Sequence, residues 1–327
     1  MNKGGMMLLI FTEDEIRDKV KINEETIHVI EEAFIDLAMK DVQMPPIMQV
    51  DIPEHNGGID IKTAFIPGYE MLALKVSSGF FNNYRLGLPS TGGVVLLINV
   101  FNGQPEALLY DNGYLTDIRT ATAGALAAKY LANDSCTKVG VIGAGAQARY
   151  QLMALKKVKS FTHVYIAGKS NRRLLDFKRM IESDLNVSAI ICEDATEVAK
   201  HSELIITTTP ATSPILQSEW IQQGTHITAI GSDAEHKNEL DPYILEQATA
   251  YVCDVVAQCE ILGELRTALQ AGTIQETKNI LELGDIIANK KVVRESEDDI
   301  TIADLTGTGI QDTKIALYAY QKLTEEK

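Results

Sequence analysis

The run Val139-Gly-Val-Ile-Gly143-Ala-Gly145-Ala-Gln147-Ala148 constrains this chain more than any other stretch. An apolar, strand-like segment leads into glycines spaced G-x-G-x-x-A, and helix-forming sequence follows. Gly143 permits a tight turn, Gly145 lets the backbone approach a pyrophosphate, and Ala148 keeps the helix close to its sheet. The first helical amides, at Ala146 and Gln147, together with the helix dipole, then hold the anionic phosphates. The strand-like segment before the loop is Lys138–Ile142, and beyond the loop strand-like and helix-like segments alternate: Phe161–Ala167, Arg172–Asp184, Ser188–Cys192, Ala195–His201, Leu204–Thr208, Ile227–Ile230, Pro242–Ala248 and Tyr251–Val255. Such alternation predicts an α/β domain, a parallel sheet wrapped by helices, carrying a dinucleotide.

The end of the second strand bears on which dinucleotide. An NAD site usually places an acidic side chain there. This chain has Gly168-Lys169-Ser170-Asn171-Arg172-Arg173 instead. Lys169, Ser170 and Arg172 suit the 2′-phosphate of NADP through charge-assisted bonds, so NADP is favoured over NAD. The alternative is a solvated, basic helix start. Thr207, Thr208 and Thr209 end a later strand, either as an edge lining the nicotinamide ribose or as a plain polar strand end.

Residues before about 115 follow another pattern. Met6–Phe11 reads as a strand, and Thr12 with Glu15 forms a capping box for a short helix. Asn23 caps a second helix that carries Ile27, Ile30, Phe34 and Leu37 on one face, stopped by Pro45-Pro46. The apolar runs Ile59–Phe65, Met71–Ser77, Gly93–Asn99 and Glu106–Leu109 are separated by turn-forming residues, which predicts an antiparallel sheet. An alanine-rich helix covers Thr116–Leu131, and the last helix covers about Gln311–Glu325. A length of 327 residues suits about two such domains.

A net charge of −15 argues against nucleic acid as a partner. No run approaches the roughly 20 apolar residues that span a bilayer. Cys136, Cys192, Cys253 and Cys259 form no CxxC pair, and no histidine cluster stands near them, so no metal is expected and the thiols read as reduced, in a cytoplasmic protein. His226 and His236 read as structural or exposed.

Several further motifs join the glycine loop. They are Leu74-Lys75-Val-Ser, then Asn83 and Gly87-Leu-Pro-Ser90, Leu115-Thr-Asp-Ile-Arg119-Thr-Ala-Thr-Ala, Ile230-Gly-Ser-Asp233 with Lys237 and Glu239-Leu240 behind it, and Gly263-Glu264-Leu265. With them the chain resembles the ornithine cyclodeaminase/mu-crystallin family over nearly its whole length. Met44-Pro-Pro, Val50-Asp-Ile-Pro, Ile61-Lys-Thr-Ala, Gly79-Phe-Phe-Asn82 and Asp304-Leu-Thr-Gly-Thr-Gly309-Ile-Gln-Asp312 make it most similar to the branch of ectoine-utilisation protein C and iminosuccinate reductase. Cyclodeaminases of the family carry an arginine just after the proline near position 46. This chain has Pro46-Ile47-Met48, a departure from a literal ornithine cyclodeaminase.

The resemblance implies a Rossmann domain over 116–310 inserted in an α+β substrate-binding and dimerisation domain, 1–115 plus 311–327, in a homodimer. It implies that Asp233 exchanges a proton with the substrate nitrogen. Lys75, costly in an apolar strand unless paired, faces the substrate. Arg119 captures the α-carboxylate with its planar fork. Lys62, on the strand before that of Lys75, suits a second carboxylate. The glycine-rich segment between Asp304 and Asp312 is expected to close over the nicotinamide through backbone, not through its acids. The implied activity is NAD(P)H-dependent reduction of an α-imino acid to an amino acid, with iminosuccinate as one candidate substrate. The alternatives are ornithine cyclodeamination, in which the cofactor is regenerated each cycle, and a non-enzymatic ligand-binding protein.

Overall fold

A computed structural model describes residues 8–325. The chain divides into two compact units, one formed by residues up to Arg119 together with Thr308 onward, the other by Thr120–Gly307. Met6 and Met7, expected at the start of the first strand, lie outside the described residues.

In the first unit the local signals act as the sequence suggests. Thr12 and Glu15 cap the helix Glu13–Lys19 reciprocally. Asn23 and Thr26 do the same for Glu24–Met39. That second helix ends well before Pro45-Pro46, because Lys40 is already extended while its N–H still caps Asp36. Beyond it, Gln43 bridges to Phe65, so the chain has joined the edge of the sheet before it reaches the prolines.

The sheet has six strands in the order Leu9–Phe11, Pro105–Leu109, Thr91–Asn99, Met71–Phe80, Gly57–Ala64 and Met48–Ile52. All pairs are antiparallel except the first, which is parallel. Register aligns rows of buried residues across it. Ala64, Ala73 and Leu97 form one row, and Lys62, Lys75 and Val95 another. The final helix, Gly309–Thr324, packs on the strands holding the first two residues of each row. The alanines leave it room, and a Cβ at Gly309 would run into the Thr63 carbonyl. Thr313 pins it, donating to the Ala64 carbonyl at 3.1 Å and accepting from the Ala73 amide at 3.3 Å.

The second unit is an α/β fold of the Rossmann type. Its eight parallel strands run in the order Leu281–Glu282, Ala250–Cys253, Thr301–Asp304, His226–Ala229, Leu204–Thr207, Lys138–Ile142, His163–Ala167 and Ser188–Ile191. Strand order reverses beside Lys138–Ile142, the position where such sheets open a ligand crevice at their carboxyl edge. Ile205, Ile227 and Ile302 are fully buried on adjacent strands, each worth about 2–3 kcal/mol of transfer free energy. A separate parallel pair joins Thr212–Leu216 to Asn238–Leu240. Among the described residues no helix is long and apolar enough to cross a membrane.

Candidate active site

Four cations are buried among the described residues of the first unit; Lys314 is paired with Glu32 and Asp36, and the other three are Lys62, Lys75 and Arg119. Lys62 is 8% exposed, Lys75 3% and Arg119 4%. Lys62 and Lys75 are direct register partners on neighbouring antiparallel strands, which puts their Cβ atoms about 5 Å apart. Lys75 lies on an interior strand, so it does not reach solvent past a sheet edge. Like charges so placed repel, and the compensation comes from the start of the last helix. Asp312 sets its two carboxylate oxygens 2.9 and 2.8 Å from Lys75 Nζ. The same carboxylate accepts from Arg119 Nε at 3.0 Å, while Arg119 Nη1 donates to Gln311 Oε1 at 3.3 Å.

Burial pulls the Lys75 ammonium down to about 7, the Arg119 and Lys62 charges push the same way, and Asp312 opposes them. Burial works to raise the Asp312 carboxyl, but Arg119, Lys75 and Lys62 outweigh it and hold the group below the usual carboxylate range. Nearby, burial raises Asp111, which accepts the Leu115 amide at 2.8 Å. Such a cluster is an anion receptor in chemical terms. Its cations are desolvated, so a carboxylate ligand would meet them at short range in a poorly screened setting.

The residues expected to hold the dinucleotide sit in the second unit, at the carboxyl ends of three adjacent strands. Gly143 has φ +121°, open to glycine, and its amide donates to the Ala167 carbonyl at 2.9 Å. A Cβ there would press into the Thr208 side chain. Gly145 is the N-cap of Ala146–Val158 and offers no side-chain cap, so the amides of Ala146 and Gln147 begin that helix uncapped by it. Nothing stands within 4 Å of where its Cβ would be, and Ala148 is fully buried. These features fit a pyrophosphate cradle. Lys169, Ser170 and Arg172 are all exposed at the end of the next strand. Ser170 has a local task as well, capping Asn171–Asp184 by accepting from the Arg173 amide at 3.5 Å. Thr207 is buried, and Thr208 donates to the Ile142 carbonyl at 3.4 Å.

Asp233 follows the strand His226–Ala229. Its side chain is 50% exposed and lies 2.5 Å from Lys237 Nζ. A helix cap is not its role, because residues 234–237 form a turn that leads into a strand. His226 is buried between Thr301 and Thr228, and burial lowers its pKa to about 3. Three side chains that sequence spacing does not join, Cys253, Cys259 and Asp304, bring their polar atoms within 4.8 Å of one another. Burial raises both thiols, and Asp304 bonds to the Tyr251 hydroxyl at 2.5 Å.

Asp312 was not among the residues singled out as the cations' partner. The sequence does hold a clue, a carboxylate three residues before Ile315 on the buried face of the last helix. The partner lies 237 positions from Lys75, and no local pattern links the two.

The match to known families is decisive. Residues 6–327 match the ornithine cyclodeaminase/mu-crystallin family. The chain belongs to that family. Among relatives, a protein of Sinorhizobium fredii named an uncharacterised cyclodeaminase is 44% identical over 97% of this chain and 96% of its own length. Iminosuccinate reductase of Paracoccus denitrificans is 30% identical over 94% of each. Two solved structures lie very near in fold. Δ1-pyrroline-2-carboxylate reductase of Thermococcus litoralis, in complex with NADH and L-proline, has a TM-score of 0.92 at 29% identity, covering 98% of both chains. An archaeal alanine dehydrogenase dimer with bound NAD has a TM-score of 0.90 at 33% identity, covering 98% of this chain and 97% of the other.

Proposed function

We propose that this chain is an NAD(P)H-dependent reductase that converts an α-imino acid to an amino acid, and that its substrate is a small dicarboxylic imine such as iminosuccinate. The observation that carries this reading is the buried set of Lys62, Lys75 and Arg119, with the Asp312 carboxylate bonded to both Lys75 and Arg119. Family membership and relatives that are reductases and dehydrogenases of imino and amino acids support the reaction class.

In this reading Arg119 and Lys75 hold the α-carboxylate and so orient the carbon beside it. Asp312 keeps both cations in place and offsets part of their charge. Lys62, directly opposite Lys75, takes the second carboxylate. Gly143, Gly145 and the amides of Ala146 and Gln147 hold the pyrophosphate, with Thr207–Thr209 beside the nicotinamide ribose. The nicotinamide supplies hydride when bound. Asp233 gives a proton to the substrate nitrogen, and its exposure lets it be recharged from water. NADPH is the preferred cofactor in this proposal, held by Lys169, Ser170 and Arg172 where an NAD site usually places an acid. The dimer of the archaeal alanine dehydrogenase supports a homodimer built by the first unit. The four free cysteines suit the cytoplasm.

A second reading, cyclodeamination, is favoured by the name of the 44%-identical relative. One panel separates the two. Oxaloacetate with ammonia, pyruvate with ammonia or methylamine, and ornithine with catalytic NAD are each assayed for NADPH consumption and ammonia release. The reductase reading expects NADPH consumption, largest with oxaloacetate and ammonia. Ammonia release from ornithine with no net change in cofactor absorbance would overturn it.

A further inference from the structure

Glu239 is fully buried in the second unit, on the short strand Asn238–Leu240, and the reaction above makes no use of it. Its two oxygens serve two different loops. Oε1 accepts the Thr209 amide at 2.5 Å, and Oε2 accepts the Gly231 amide at 2.8 Å. The loops continue the neighbouring strands Leu204–Thr207 and His226–Ala229, whose register ends at Thr207 opposite Ala229. One more backbone bond follows, from the Ile230 amide to the Thr207 carbonyl at 3.0 Å. After that the carboxylate of Glu239 takes over the pairing.

Other contacts are arranged around this carboxylate. A Cβ at Gly231 would collide with the Glu239 carboxyl and the Thr209 carbonyl. Glu264 fixes the strand from behind, accepting the amides of Glu239 at 2.8 Å and Leu240 at 3.2 Å. Ser232 and Lys237 close the loop that carries Asp233, with Ser232 Oγ donating to the Lys237 carbonyl at 2.9 Å. Two N–H groups facing two oxygens need an acceptor on both sides. An ionised carboxylate provides that, whereas an amide turns a donor toward one of them.

We propose that Glu239 is a positioning residue whose single carboxylate sets the backbone of both the Thr207–Thr209 edge and the Gly231–Asp233 loop, so that cofactor affinity and proton transfer depend on it together. The proposal rests on the roles given above to Asp233 and Thr207–Thr209.

The test uses the full-length protein with Glu239→Gln and Glu239→Asp. Amide hydrogen exchange is followed in peptides covering 207–211 and 230–234, and NADPH binding is titrated by fluorescence without substrate. Loss of a hydrogen bond to a charged group is worth about tenfold or more. Glu239→Gln should therefore speed exchange in both peptides by about tenfold, weaken NADPH several-fold and lower kcat. Exchange in the other strands of this unit should stay unchanged, which a general loss of stability would not allow. Glu239→Asp keeps the charge but is one methylene too short to reach both loops, so it should give a smaller change of the same kind. It decides the question if the glutamine variant does not fold. Unchanged exchange in either loop, or unchanged NADPH affinity, overturns the proposal. A normal turnover in Asp233→Asn would instead overturn the role of Asp233, while coupled loosening of the two loops would leave the brace standing.

Discussion

The first unit buries cations around a shared carboxylate, whereas the second buries carboxylates among backbone amides. In the second unit Glu239, Glu264, Asp254 and Asp304 are all at most 1% exposed. Each accepts backbone N–H groups: Thr209 and Gly231, Glu239 and Leu240, Gly307 and Val255, and Leu265, respectively. Those acids are spent on holding loops in place. Lys75 and Arg119 in the first unit are instead bonded to a shared side chain, Asp312, with Gln311 also accepting from Arg119. Buried charge of one kind braces loops, and in the proposed function buried charge of the other kind receives the substrate.

The sharpest break in the comparison is its response to pH. Burial, with the charges of Asp304 and Glu239, raises Glu264 to about 8. The folded chain then keeps a proton that the unfolded chain has shed, so this group's contribution to stability is present at acid pH and is lost as pH rises through about 8. Lys75, lowered to about 7, does the reverse. Its contribution is present above the ordinary lysine range and is lost as pH falls through about 7. Urea unfolding across pH should show Glu264→Gln removing the first slope and Lys75→Met the second, each on the order of 5 kcal/mol. Unchanged slopes in both variants would remove the electrostatic distinction between the units.

These two kinds of site were not equally legible in the sequence. The strand Lys138–Ile142 and its glycine loop are local, because turn, amide cradle and helix packing are set by ten consecutive residues. The strand Thr301–Asp304 leaves no such local mark, since a four-residue buried strand has no alternation and its neighbours come from positions near 226 and 250. Thr212–Leu216 and Asn238–Leu240, short strands paired only with each other, are unmarked for the same reason. Lys75 is marked by a charge in an apolar strand, which is costly unless paired, whereas the role of Arg119 comes from the family resemblance alone. Asp312 and Glu239 carry no such mark, since their meaning lies wholly in partners brought close by topology. Pro45-Pro46 looked like the helix stop, but pairing of the chain with the sheet edge ends the helix first.

Removing the assigned proton donor should cost less than those slopes and act only on chemistry. Asp233→Asn is expected to lower kcat by about a hundredfold with NADPH affinity near normal. Stopped-flow turnover together with binding titration checks it, and near-normal turnover would exclude the role. Asp312→Asn should act next most strongly. With the anion gone, the Arg119 and Lys62 charges push Lys75 still lower, so the alkaline fall in kcat/KM, set near 7 by Lys75, moves to lower pH by about one unit, roughly tenfold in rate at fixed pH above it. An unmoved pH profile would detach Lys75 from substrate binding. The smallest effect is expected at the exposed cofactor edge, where Arg172→Ala should weaken NADPH by only a few-fold, as befits a solvated charge. Equal or tighter binding of NADH to the unaltered protein would remove the preference for NADPH.

The account turns on whether the receptor in the first unit is matched to two carboxylates. The most direct measurement is kcat/KM for the imines of oxaloacetate and of pyruvate, in the unaltered protein and in Lys62→Met. Loss of a desolvated charge pair predicts a selective fall for the dicarboxylic substrate of about 2–3 kcal/mol, roughly 30- to 150-fold, with the monocarboxylic substrate little changed. Equal losses for both substrates would contradict the assignment of Lys62 to a second carboxylate.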